Sequence, residues 1–253
     1  MKKALITGAS AGIGLEFAQQ LAEKKYNLIL VSRNQEKLFD ISQDISNKYK
    51  NKNEVLVADL STQEGINKVS NKIREDHDIE FIVNNAGLGI NKPFHKATLN
   101  EEVDLLNVLV KAPLEITHTA INSMIERKKG FIVNVGSVAA WTTSGTYSAA
   151  KVWLTSFTES LNTNYKKLGI NISVVAPGFT RTEFHQRANM STSEIPNWMW
   201  LSTKLVVKDS IKAVLTGQTI VVPSLRYKLL VGFLKVMPRT FIRRFSNSYQ
   251  AKR

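Results

Sequence analysis

Short apolar runs punctuate the first two-thirds of the chain. They are Ala4–Thr7, Leu28–Ser32, Val55–Ala58, Phe81–Val83, Phe131–Val135 and Ile170–Ala176, mostly rich in Val, Ile and Leu. Runs this short, apolar throughout, predict strands buried on both faces of a parallel sheet. Between most of them lie longer segments with helical spacing, such as Leu15–Lys25 and Glu101–Lys128. A seventh strand is predicted at Gln218–Val222. Strands alternating with helices predict an α/β fold: a doubly wound parallel sheet of about seven strands with helices on both faces. No repeat, linker or low-complexity stretch divides the chain. The expectation is one domain over residues 1–223 and a basic, amphipathic helical extension over 224–253.

Composition narrows the class. The chain has 253 residues, 43% hydrophobic and 22% charged, which suits a globular protein with a sizeable core. No stretch approaches the roughly 20 apolar residues of a membrane-spanning helix. Met1-Lys2-Lys3 imitates a signal-peptide start, but Ala4-Leu5-Ile6 runs at once into a Thr/Gly/Ser turn, so no apolar leader core follows. There is no cysteine, which removes disulfides and thiolate metal sites and suits a cytoplasmic protein. His77, His95, His118 and His185 are scattered without metal-ligand spacing, so no metal is expected. The net charge of +13 is uneven: residues 224–253 hold eight Lys and Arg and no acid, leaving +5 for the rest. No nucleic-acid reader motif accompanies this charge, and no nucleic-acid partner is expected.

The first predicted strand leads into Thr7-Gly8-Ala9-Ser10-Ala11-Gly12-Ile13-Gly14, which opens the first predicted helix. A helix N-terminus offers free N–H groups and the positive end of its dipole to a phosphate. Glycines let the backbone turn tightly and come close to a ligand. The spacing is G-x-x-x-G-x-G, not the common dinucleotide G-x-G-x-x-G, and together with the alternating pattern it points to a Rossmann-type dinucleotide fold; a glycine-rich turn without a ligand is the alternative. The second strand ends in Ser32-Arg33-Asn34. An acid near this position suits the ribose 2′-hydroxyl of NAD, whereas Arg33 suits the 2′-phosphate of NADP; a plain surface cation is the alternative. Asp59-Leu60 closes the third strand, with Asp59 either beside the adenine or capping the next helix.

Tyr147 and Lys151 are four residues apart in the helical stretch Tyr147–Leu168, hence on one helix face. A neighbouring ammonium favours phenolate and is expected to lower the Tyr147 pKa, giving a pair that can exchange a proton with a substrate oxygen. Ser137 ends the fifth strand, and Asn84-Asn85-Ala86-Gly87 ends the fourth, at the carboxyl edge where open parallel sheets bind ligands. Asn107 falls within Glu101–Lys128, either anchoring a water or lying on a solvated face.

From Lys3 to about Val222 the sequence resembles the short-chain dehydrogenase/reductases of roughly 250 residues. The residues that carry the resemblance are Thr7–Gly14, Asp59-Leu60, Asn84–Gly87, Asn107, Ser137, Tyr147-x-x-x-Lys151, and Pro177-Gly178 with Thr180 and Thr182. The resemblance implies NADP(H) as cofactor. Gly8, Ser10, Gly12, Ile13 and Gly14 would lie under its pyrophosphate, Arg33, Asp59, Leu60 and Asn85 at its adenosine end, and Tyr147, Lys151, Pro177, Gly178, Thr180 and Thr182 at its nicotinamide end. It further implies hydride transfer to a carbonyl, with Tyr147 as proton donor, Ser137 orienting the oxygen, Lys151 holding the nicotinamide ribose, and Asn107 fixing a relay water. Homodimers or homotetramers are implied as well. A catalytically idle protein that senses NADP or binds a partner is the alternative.

The segment 183–203, which in this family forms a lid, carries Phe184, Met190, Ile195, Trp198, Met199 and Trp200. These residues either face a hydrophobic carbonyl substrate (a ketone, 3-oxoacyl chain or steroid-like molecule) or pack on the protein body. The extension departs from the family pattern. Its apolar run Leu229–Leu234 lies between Lys228 and Lys235, and Phe241, Ile242, Phe245 and Tyr249 follow among basic residues. Three readings fit: a helix peripheral on an anionic membrane, contact with an acidic acyl carrier, or a helix packed over the body with a solvated basic face.

Overall fold

The structure is a computed structural model that describes residues 2–250, with residues 245–250 as backbone only. The side chains of Phe245 and Tyr249, and residues Lys252 and Arg253, lie outside the described part. In chain order the elements are β1 (Lys3–Thr7), α1 (Gly12–Glu23), β2 (Asn27–Ser32), α2 (Gln35–Tyr49), β3 (Asn53–Val57), α3 (Gln63–Glu75), β4 (Ile79–Asn84), α4 (Leu99–Leu106), a π turn (Asn107–Lys111) and α5 (Ala112–Glu126). They continue with β5 (Gly130–Val135), α6 (Gly145–Tyr165), β6 (Ile170–Val175), α7 (Phe184–Arg187), α8 (Thr203–Leu215), β7 (Ile220–Val221), α9 (Leu225–Val236) and α10 (Arg239–Gln250). The strands form one parallel sheet in the order β3-β2-β1-β4-β5-β6-β7.

Alternate residues of each strand feed two cores, one per face. Ala4, Ile6, Leu28, Leu30, Phe81, Val83 and Val133 are buried under α1 and α8. Leu5, Ile29, Val31, Ile82, Ile132 and Ile172 are buried under α3 and α5. Both faces are therefore apolar, which is why the strands read as continuous apolar runs. The seventh strand is shorter than Gln218–Val222: only Ile220 and Val221 pair with β6. It is an edge strand, and Pro223, having no N–H, cannot extend it.

The predicted helix Glu101–Lys128 exists but is not uniform. It widens into the π turn, where the Ala112 N–H reaches back five residues to the Asn107 carbonyl. Pro113 follows at once. Proline removes a donor and its ring crowds the carbonyl four residues earlier, here Leu109, so a wider turn just before it relieves the clash.

A buried polar chain crosses the sheet. Asn84 of β4 lies in register with Asn134 of β5. The Asn84 amide donates to Asn134 Oδ1 at 2.8 Å and to Thr117 Oγ1 at 3.3 Å, and the Asn134 amide donates to Thr158 Oγ1 of α6 at 2.8 Å. Asn134 and Thr158 have no exposed surface. Asn134→Ala would leave the Asn84 amide with only its long bond to Thr117, and an unsatisfied buried donor costs about 1–3 kcal/mol. We expect a lower urea midpoint at unchanged slope, read by circular dichroism.

Candidate active site

Along the sheet the chain reverses direction at β1 and β4, and open α/β sheets bind ligands in the crevice at such a reversal. Short bonds fix the crevice. Thr7 Oγ1 donates to Val83 O (3.1 Å) and accepts from the N–H groups of Asn85 (2.9 Å) and Ala86 (3.0 Å). The Asn85 amide donates to the carbonyls of Thr7 (2.9 Å) and Gly8 (3.1 Å). This amide, from a residue expected near the cofactor's ribose, braces the glycine loop. Gly8 and Gly12 have φ of +66° and +56°, the left-handed region that favours glycine. Gly14 needs the lack of a side chain for another reason: a Cβ there would collide with the Gly8 carbonyl. Ser10 is buried, and Ile13 packs against the core.

Helices α2, α3, α4 and α8 start under side-chain caps from Asn34, Thr62, Thr98 and Ser202. Helix α1 does not, because its cap residue Ala11 has no acceptor. The free N–H groups of its first turn thus meet the glycine loop, a donor set suited to a phosphate. Beside them an open cleft of about 440 Å³ is lined by Gly12, Leu15, Gln19, Arg181, Thr182 and Glu183, among others. The first turn therefore fits a dinucleotide pyrophosphate.

At the adenosine side, Arg33 Nη1 lies 3.7 Å from Asp59 Oδ2, with most of the Arg33 side chain exposed. Asp59 is not the cap of α3. Thr62 is, accepting from Gly65 N at 3.1 Å, while Asp59 Oδ1 accepts from the N–H (3.0 Å) and hydroxyl (2.9 Å) of Ser61. Leu60 is buried. Lys37, in the first turn of α2, reaches across to Glu183 at 3.2 Å.

Ser137, Tyr147 and Lys151 come together at the end of β5 and the start of α6. The Ser137 hydroxyl accepts from Ala139 N (3.1 Å) and acts on the Tyr147 phenol, pulling its pKa down. Lys151 is buried, its Nζ donating to Val135 O at 2.7 Å and lying 5.6 Å from the centre of the Tyr147 ring. Burial disfavours charge on both groups. It pushes Tyr147 up to about 12 and Lys151 down to about 8. The expected lowering of the Tyr147 pKa by Lys151 is thus corrected: burial of the phenol dominates, with the Ser137 side chain pulling the other way. Asn107 is half-buried, its amide donating to Ser61 O at 2.7 Å. That leaves its side-chain oxygen and its second N–H for a water.

The segment after β6 closes the other side. Pro177 O accepts from Val138 N at 3.0 Å, tying it to the Ser137 turn. Thr180 is buried and pairs with Leu201, and Thr182 Cγ2 stands 2.9 Å from where a Gly12 Cβ would be. The aromatic residues of 183–203 divide. Phe184 contacts the Tyr147 ring (6.0 Å between centroids), and Phe179, Phe184, His185 and Trp200 form a cluster, while Trp198 is exposed. His185 Nδ1 has no hydrogen-bond partner, and burial lowers the pKa of the ring. His77, His95 and His118 are exposed on separate elements.

Two contributors carry no local sequence signal. Tyr227 of α9 accepts from Phe179 N (3.0 Å) and donates to Met199 O (2.9 Å), filling the space a Gly178 side chain would need. Glu183 bridges Lys37 and Arg187.

The reversal crevice, uncapped glycine turn and Ser–Tyr–Lys cluster define a dinucleotide-binding protein of the Rossmann type. The sequence pattern of the short chain dehydrogenases matches residues 2–192, and the chain belongs to that family. It is 32% identical over 191 residues to a human protein named inactive hydroxysteroid dehydrogenase-like protein 1, covering 74% of this chain. It is 33% identical over 204 residues to a very-long-chain 3-oxoacyl-CoA reductase of Pyrenophora tritici-repentis, covering 77% of this chain. The matched region spans only 58% and 59% of those relatives' lengths. In fold, a short-chain dehydrogenase from Sphingobium yanoikuyae in complex with NADPH superimposes with a TM-score of 0.85 at 25% identity, covering 94% of this chain and 97% of that one. A 7β-hydroxysteroid dehydrogenase structure matches with a TM-score of 0.90 at 22% identity, covering 97% and 96%.

Proposed function

We propose that the chain is an NADP(H)-dependent reductase that interconverts a carbonyl and a secondary alcohol on an apolar substrate. The observation that carries this reading is the cluster of Ser137, Tyr147 and Lys151 beside the uncapped first turn of α1. The N–H groups of Gly12 to Gly14 would hold the pyrophosphate, and Arg33 would meet the 2′-phosphate. When bound, the reduced nicotinamide supplies a hydride. Tyr147 gives its phenol proton to the substrate oxygen, and the Ser137 hydroxyl orients that oxygen. Burial keeps the phenol protonated, the state a proton donor needs. Lys151 uses one of its three donors on Val135 and keeps two, for the nicotinamide ribose and for the proton path to Tyr147. Asn107 is a positioning residue: its bond to Ser61 fixes the π turn, which packs against α6. The aromatic cluster of Phe179, Phe184 and Trp200 next to Tyr147 suits an apolar substrate such as a 3-oxoacyl chain or a bulky ketone.

A second reading, an idle NADP-binding protein, has one observation in its favour: the human relative's name says that it is inactive. Against it, every catalytic position here holds a competent side chain. NADPH consumption over a panel of apolar ketones and 3-oxoacyl thioesters separates the two readings. Turnover is expected, with kcat falling about 10²–10⁴-fold in Tyr147→Phe while NADPH affinity, read by fluorescence titration, stays the same. No turnover on any carbonyl would favour the idle protein. The pH profile is a further check. Lys151 is charged below about 8, so if the ammonium is required, kcat/KM falls as pH rises through that value. Tyr147, up at about 12, adds no limb in the same range. Arg33→Ala is expected to weaken NADPH binding about 10- to 100-fold, the worth of a charged hydrogen bond, and to leave NADH binding unchanged; equal loss for both cofactors would sink the role given to Arg33.

A further inference from the structure

Helix α9 has two apolar stripes on opposite sides. Tyr227, Val231 and Leu234, spaced four and three apart, face inward: the first two are buried and Leu234 is half-buried. Leu225, Leu229, Phe233 and Val236 repeat at intervals of four, four and three and share the opposite side. Each of these four is more than half exposed. At 100° per residue, Lys228 borders the outward stripe on one side and Arg226 on the other, with Lys235 nearer the inward side. On α10, Phe241 is also more than half exposed, and Arg239, Arg243 and Arg244 are exposed. The sequence offers no acid anywhere in 224–253.

The helix is firmly seated on the body. Tyr227 is bonded to Phe179 and Met199, the Arg226 guanidinium donates to Trp200 O at 3.4 Å, and Lys235 Nζ lies 5.5 Å from the Trp141 ring. Four large apolar side chains facing water on one helix call for a cover. A second copy of the same face fits poorly, because an isologous contact would set two acid-free basic rims against each other. An anionic lipid surface satisfies both features: the stripe enters the headgroup–acyl boundary and the flanking cations meet lipid phosphates. We propose that the outward face of α9 docks this protein on anionic membranes. The inference is independent of the catalytic reading, since it uses none of the catalytic side chains.

The test is co-sedimentation of the full chain with sucrose-loaded vesicles of phosphatidylcholine alone or of phosphatidylcholine and phosphatidylglycerol in equal parts. Binding is expected to the anionic vesicles, weakening with salt, with far less to the neutral ones; each cation at such a surface is worth about fivefold in affinity. The double variant Leu229→Ser/Phe233→Ser is expected to bind at least about tenfold more weakly, the effect of withdrawing two large apolar side chains from lipid. Lys228→Glu weakens binding on anionic vesicles alone. Both variants alter exposed positions, and unchanged melting curves would show that they fold. Three results would overturn the proposal: wild type failing to pellet with anionic vesicles, the double variant pelleting as well as wild type, or a concentration-dependent dimer that the double variant abolishes while no vesicle binding occurs.

Discussion

Everything at the carboxyl edge depends on how β1 and β4 are held together where they stop pairing. Beyond that point the strands part, and their backbone groups need other partners or water. Thr7 Oγ1 and the Asn85 amide supply them, bonding across the gap to Val83, Asn85, Ala86, Thr7 and Gly8. This fixes Gly8, and Gly8 in turn limits what can stand at Gly14. The first turn of α1 is therefore set by a side chain from the end of β4, nearly eighty residues away. A glycine loop without that brace would have the freedom glycine brings and no reason to hold its N–H groups in one direction.

A second chain of bonds does for the reacting groups what Asn85 does for the loop. Asn84, Asn134 and Thr158 tie β4, β5 and α6 together in the interior, and Lys151 is tied to Val135 at the end of β5. Helix α6 is thus anchored to the sheet at two levels, and Tyr147 is held at the strand edge by the helix that carries Lys151. Burial then acts on the two groups in opposite directions, raising the phenol and lowering the ammonium, and so favours the neutral form of each. A neutral phenol is ready to donate. The spacing of Tyr147 and Lys151 places them on one helix face; which way their protons lean is decided by how deeply that face is buried.

That difference marks what sequence reasoning reached. Six strands, the glycine turn and the Ser137–Tyr147–Lys151 grouping were legible because each is set by a local pattern: an apolar run, glycine spacing, a strand end, a helix repeat. The π turn had a local signal as well, Pro113, whose missing N–H and ring clash make an unbroken helix from Glu101 to Lys128 costly. Asp59 was ambiguous between adenine and cap because three candidate capping residues, Asp59, Ser61 and Thr62, lie within four positions, and only the backbone geometry selects Thr62. Contacts such as Asn85 on Gly8, Tyr227 on Gly178 and Glu183 on Lys37 join residues 49 to 146 positions apart, and no periodicity encodes them.

The extension shows why two readings of one sequence can both be partly right. A helix that must pack on a body needs one apolar stripe, and a helix that must sit on a membrane also needs one. Helix α9 is apolar at seven of its twelve positions, counting Leu225, Leu229, Leu230, Val231, Phe233, Leu234 and Val236, too many for either stripe alone. Its pattern therefore has no single polar face, and no rule based on amphipathicity could choose between the readings. In the folded protein Tyr227 and Val231 account for the packed side, leaving Leu225, Leu229, Phe233 and Val236 unexplained by the body. Packing against the core thus removes one explanation for half of the stripe residues only. The basic residues then matter for where they stand more than for how many they are: they rim a surface that the protein's own core does not use.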